Sequence, residues 1–175
     1  MIPVKTRTLN ASMSDIPQPT DDSTGARFER LVEIMRTLRS PDGCPWDREQ
    51  TLASLRPFLL EETYEVIDAI NRNDIQDLRN ELGDLIFEVI FLAQICNENG
   101  QFTISDVLNS ATTKLVHRHP HVFSQDDTPP AKAITATEVK QRWEEIKATE
   151  QEAAGNTPSL LGGIPPTMPA LLRAY

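Results

Sequence analysis

Between Leu59 and Glu88 the chain reads LLEETYEVIDAINRNDIQDLRNELGDLIFE, and no other stretch limits its fold so strongly. Leu59, Leu60, Val66, Ile67 and Ile70 recur at three-, four- and seven-residue steps before Asn71-Arg72-Asn73. Leu78, Leu82, Leu85, Ile86, Val89 and Ile90 do the same after it. That period belongs to amphipathic helices, so the stretch predicts two antiparallel helices joined by a short turn.

Each helix also carries acids on one side: Glu61, Glu62 and Glu65 before the turn, and Glu81, Asp84 and Glu88 after it. At about 100° per residue, Glu61 and Glu65 lie about 40° apart, and both Glu62/Glu65 and Glu81/Asp84 about 60°. With a rise of about 1.5 Å per residue, both clusters fall about 14 Å from the hairpin end. Antiparallel helices pack with axes about 8–10 Å apart, close enough for facing carboxylates to share an ion. Without cations such acids repel and some must protonate. A hard divalent ion that accepts oxygen ligands removes the conflict, which makes Mg²⁺ the expected cofactor, with Mn²⁺ as the alternative. The competing reading is a solvated acidic face, since Glu is a good helix former. The density of core-type neighbours weighs against it. Gly83 adds weight, because mid-helix glycine costs about 1 kcal/mol relative to Ala and predicts a close approach to the backbone.

The pair E-E-x-x-E (Glu61, Glu62, Glu65) and E-x-x-D (Glu81, Asp84), together with GCPWD at Gly43 to Asp47 and RHPHVF at Arg118 to Phe123, resembles the MazG family of nucleoside triphosphate pyrophosphohydrolases. The likeness covers about residues 26 to 152 and is nearest to the N-terminal copy of two-domain members. It implies an all-α antiparallel bundle of the all-α NTP pyrophosphatase type, with a core completed by pairing into a homodimer or higher homo-oligomer. It also implies Mg²⁺-dependent hydrolysis of nucleoside triphosphates to the monophosphate and pyrophosphate.

Composition agrees with one domain that has a real core. The chain has 175 residues, 39% of them hydrophobic. A net charge of −9 argues against a nucleic-acid partner, which would call for a basic face. Metal-bridged nucleotides remain compatible with it. Cys44 and Cys96 give neither a disulfide framework nor zinc spacing and fit a reducing cytosol. No signal peptide is evident and no apolar run is long enough to span a bilayer, so no membrane association is expected.

In chain order, residues 1–25 hold Pro3, Pro17, Pro19 and no apolar period, and are expected to form a disordered leader in which Met13 offers a second start. Residues 26–153 form the expected helical domain. Phe28, Leu31, Val32, Met35 and Leu38 predict a helix from Ala26 to Arg39. In the loop that follows, Asp47-Arg48-Glu49-Gln50 has the form of a capping box. Trp46 reads either as a plug beneath the bundle, the favoured reading, or as a wall for a base. Pro57 places the start of the acidic helix near Ser54 to Pro57.

The second hairpin helix is expected from Asp74 to Asn99, stopped by Gly100. Apolar residues on more than one face of its far end, Phe91, Leu92, Ile95 and Cys96, predict burial against a second subunit as well as its own bundle. Thr103 and Asp106 open a helix that closes at His119-Pro120, and Thr135 with Glu138 opens another with Val139, Trp143 and Ile146 as its apolar stripe. Residues 124–133 read as an exposed loop. His117, His119 and His121 read as structural, because Pro120 breaks ligand geometry.

Lys114 and Arg118, four apart, read as surface cations favoured at a helix C-terminus, or, as the family resemblance implies, as a phosphate clamp. The resemblance likewise implies nucleotide contacts for Trp143 and Lys147, which otherwise read as core packing and solvated charge. Residues 154–175, GNTPSLLGGIPPTMPALLRAY from Gly155 onward, resemble the connector to a second domain that is truncated or absent here.

The resulting expectation assigns Mg²⁺ binding to Glu62, Glu65, Glu81 and Asp84, general-base catalysis to Glu61, and phosphate or nucleotide contacts to Lys114, Arg118, Trp143 and Lys147. Hydrophobic Phe58-Leu59-Leu60 stand where hydrolytic family members can carry a basic residue, which keeps a non-hydrolytic nucleotide-binding or oligomerisation domain as the alternative. A di-iron carboxylate bundle expects E-x-x-H pairs, which the acidic helices lack.

Overall fold

A computed structural model describes residues 23–123, 135–153 and 155. Among these residues the regular structure is entirely helical: α1 Thr24–Leu38, α2 Pro45–Glu49, α3 Arg56–Arg72, α4 Ile75–Glu98, α5 Ile104–Arg118, α6 Pro120–Phe123 and α7 Ala136–Ala153. The all-α expectation holds. The expected leader through residue 22, the 124–133 loop and nearly all of the C-terminal connector lie outside the described residues. Two compact units, Met1–Val107 and Leu108–Tyr175, divide the chain, with the boundary inside α5.

In the first unit α3 packs along α4, and α1 packs against α4. The antiparallel pairing is enforced at the turn. Asn73 takes the left-handed conformation at φ 55°, and the Asp74 N–H reaches back to the Ala69 carbonyl at 3.0 Å, closing α3. Asp74 then caps α4, its carboxylate accepting from the Asp77 N–H at 3.0 Å. One residue ends a helix and the next begins another, so the chain has no length to do anything but fold back.

The core forms where the apolar stripes meet. Met35, Leu55, Ile90, Phe91 and Ile95 are buried, ringed by Phe28, Leu31, Val32, Phe58, Phe87, Leu92 and Ile104. Phe91, Ile95 and Cys96 are therefore covered by their own chain. The apolar excess that predicted a second subunit there is consumed by α1 and the starts of α3 and α5. Exposed apolar side chains lie instead at Leu60, Tyr64 and Ile67 on α3 and at Leu82, Ile86 and Val89 on α4.

The loop between α1 and α3 departs from the expected capping box. Pro45 occupies the first turn of α2, where its missing N–H costs nothing, so Cys44 takes the N-cap and Asp47 falls inside the helix, buried. Gln50 is the C-cap. Arg39 ties the region together. Its guanidinium donates to the Asp47 and Gln50 carbonyls, grips Glu98 through Nε at 2.9 Å and Nη2 at 2.6 Å, and lies 5.4 Å from the Phe91 ring centre. Trp46 does not plug the bundle. It is 51% exposed and meets Phe58 edge-on at 5.7 Å between ring centres.

The ends of α4 and α5 follow expectation. Gly100 at φ 67° stops α4, with the Gln101 N–H donating to the Cys96 carbonyl at 2.9 Å. Thr103 and Asp106 then form a reciprocal box, each accepting from the other's backbone N–H.

In the second unit Thr135 and Glu138 form a matching box at the start of α7. Arg118 donates to Glu150 through Nε and Nη2 and lies 5.2 Å from the Trp143 ring centre. His119 packs edge-on against Trp143 at 4.9 Å, its Nδ1 2.6 Å from the Leu115 carbonyl, and His117 Nδ1 is 2.9 Å from Glu150. These contacts suit the structural reading of the histidines.

Candidate metal centre

Facing positions on α3 and α4 bring three of the expected ligands together. Glu62, Glu81 and Asp84 each offer an oxygen, all within 4.8 Å of one another. Helical spacing accounts for the arrangement: Phe58, one turn before Glu62, packs on the core, so Glu62 shares the inward side of α3 and is only partly exposed. Asp84 lies three residues beyond Glu81 and is open to solvent.

The electrostatics are those of an uncompensated anionic site. Burial first, and then Glu65, Asp84, Glu88 and Glu61, push the Glu62 carboxyl above the ordinary carboxylate range. Glu81 is raised as well, by desolvation and then by Asp77, Glu65 and Asp84. The strongest influences on both acids are burial and other carboxylates. One oxygen of Glu62, Oε2, is buried without a hydrogen-bond partner among the described residues. Hard oxygen donors, mutual repulsion and an orphaned oxygen together fit a divalent cation such as Mg²⁺.

Other expected residues stand differently. Glu65 and Glu61 are exposed; Glu65 acts on Glu62 and Glu81 through its charge but is not in the three-carboxylate group. Lys114, Arg118, Trp143 and Lys147 all belong to the second unit. Lys114 is exposed, and Lys147 is half-buried with its Nζ 3.8 Å from Glu144. Arg118 is engaged by Glu150, and Trp143 is half-buried between Arg118 and His119. Gly83 does not show the predicted close approach: a Cβ there would meet nothing within 4 Å among the described residues.

A residue without an assigned role also belongs here. Glu88 is buried on α4, and its Oε2 has no partner. It follows Asp84 by one turn in the acidic series, but the apolar run around it hides that the carboxylate is enclosed.

The family model for the MazG nucleotide pyrophosphohydrolase domain matches residues 50–123, a span that holds every carboxylate of the cluster. An Escherichia coli (strain K12) nucleoside triphosphate pyrophosphohydrolase is 50% identical over 149 residues, covering 85% of this chain and 54% of that protein. The chain belongs to the MazG family. A Thermotoga maritima MazG named nucleoside triphosphate pyrophosphohydrolase/pyrophosphatase is 48% identical over 150 residues, covering 86% of this chain and 54% of that protein. The crystal structure of a MazG-related protein from Thermotoga maritima superposes with a TM-score of 0.55 at 30% identity, over 68% of this chain and 97% of that one. This MazG chain spans about half the length of the two curated relatives.

Proposed function

We propose that this MazG chain hydrolyses nucleoside triphosphates to the monophosphate and pyrophosphate, using a divalent cation, Mg²⁺ or Mn²⁺, held by Glu62, Glu81 and Asp84. The carboxylate triplet with its orphaned Glu62 oxygen carries this reading. Family membership and the names of the similar proteins support it. When bound, the cation supplies positive charge against the triphosphate and makes water a stronger nucleophile near neutral pH.

The chain's own residues divide the remaining work. Glu65 lies within electrostatic reach of both Glu62 and Glu81 and completes the ligand set on α3. Glu61, exposed beside the cluster, takes the proton from the attacking water as the α–β phosphoanhydride bond breaks. Lys114 and Arg118 bind phosphate oxygens of the leaving pyrophosphate. Glu150 occupies Nε and Nη2 of Arg118 and fixes the direction of its fork. Trp143 and Lys147 contact the nucleotide. The chain acts in the cytosol, where its free Cys44 and Cys96 stay reduced. No described helix is long and apolar enough to cross a membrane.

A second reading is a domain that binds metal and nucleotide without turnover. It is favoured by Phe58, which packs on Trp46 and the core at a position where hydrolytic family members can carry a basic residue. Product analysis by phosphorus NMR separates the two. Equal monophosphate and pyrophosphate, formed only with Mg²⁺ or Mn²⁺, supports hydrolysis. Metal-dependent nucleotide binding without product selects the second reading, and diphosphate with inorganic phosphate overturns both.

A further inference from the structure

Glu88 is 7% exposed, and its Oε2 has no hydrogen-bond partner among the described residues. A buried carboxylate left in this state is costly, and glutamine or methionine would fill the same space without the charge. It stands four residues after Asp84 and seven after Glu81, within about 40° of each on the helix, and therefore continues the carboxylate row toward the core. On the facing helix α3, Glu62 has a buried Oε2 without a hydrogen-bond partner among the described residues, and the Glu88 charge is among those acting on it. Burial raises the Glu88 carboxyl.

Two buried oxygens on facing helices, neither with a hydrogen-bond partner among the described residues, call for a cation. We propose that Glu88 is a metal ligand: with Glu62 it holds a second divalent cation, deeper between α3 and α4 than the one shared by Glu62, Glu81 and Asp84. The inference rests on the proposed metal reading of the carboxylate triplet and adds to it a second ion and a residue outside the E-x-x-E/E-x-x-D pattern.

Mn²⁺ binding to the nucleotide-free full chain tests it, by titration with EPR detection of free Mn²⁺, on the wild type and on Glu88→Gln. The wild type is expected to bind two Mn²⁺ per chain with spin–spin broadening of the bound signal. Glu88→Gln keeps one ion, bound within about tenfold of the wild-type affinity, the lower end of the effect of altering a ligand's surroundings. Its metal-free melting temperature is expected to equal or exceed that of the wild type, because a buried charge has gone. Two ions bound by Glu88→Gln, or one unbroadened ion bound by the wild type, overturns the inference while leaving the triplet reading intact. No Mn²⁺ bound by the wild type overturns both. If Glu88→Gln does not fold, the wild-type stoichiometry and broadening decide alone.

Discussion

Glu62 is pressed toward its protonated form by burial and by the neighbouring acids, and Glu88 by burial alone. The sign of the consequence is fixed. A carboxyl raised in the fold above its ordinary value of 4.5 binds more protons folded than unfolded, so stability falls as pH climbs from that value through the raised one. Below the ordinary value this contribution vanishes. Glu98 and Glu150 act in the opposite sense: Arg39 and Arg118, respectively, lower them, so their stabilisation persists above the ordinary value and is lost as pH falls through the lowered one. In EDTA, melting temperature followed from about pH 4 to about pH 9 should peak near the ordinary carboxylate value and decline above it. Mg²⁺ should flatten the decline. A metal-free curve that rises through neutrality would contradict the assignment. Spacing placed Glu62, Glu81 and Asp84 on facing sides of the hairpin, because three- and four-residue steps fix which side chains share a helix face. It could not assign Glu88, whose position in the row was visible but whose burial depends on how tightly α3 and α4 close.

The hairpin was legible because the rules that make it are local: an apolar period, Asn73 able to turn left-handed, and Asp74 able to cap. The GCPWD loop was not, because Pro45 and the tertiary grip of Arg39 decide it. Gly43 shows how tight that loop is. A Cβ there would sit 2.2 Å from the Leu38 carbonyl oxygen, which accepts from the Cys44 N–H at 2.7 Å. Backbone cannot rotate aside as a flexible side chain can. Gly43→Ala is expected to destabilise by roughly 1–3 kcal/mol, the range for forcing atoms into a filled space, measured by urea unfolding. A midpoint unchanged from wild type would mean that the loop yields freely. Gly83→Ala, in open space on a helix, should stabilise by up to about 1 kcal/mol in the same measurement.

Across the molecule, the apolar side chains that stay exposed are not the ones that prompted the expectation of self-association. Leu82, Ile86 and Val89 form one stripe of α4 and remain 41–45% exposed, while Leu60, Tyr64 and Ile67 form another on α3. Stripes of this kind suit a second copy of the chain. The wild type is expected to run as a homodimer or larger in light scattering, and Ile67→Lys with Ile86→Lys as a monomer. A monomeric wild type would remove the oligomer from the account.

Facing carboxylates on α3 and α4 are proposed to make this MazG chain a cation-dependent pyrophosphohydrolase. Steady-state pyrophosphate release from nucleoside triphosphates, with Mg²⁺ and then with EDTA, tests it on the wild type and on Asp84→Asn, whose exposed position lets the fold survive. The prediction is turnover that EDTA abolishes and that Asp84→Asn lowers by about a hundredfold or more. Turnover indifferent to EDTA, or unchanged in Asp84→Asn, would contradict it.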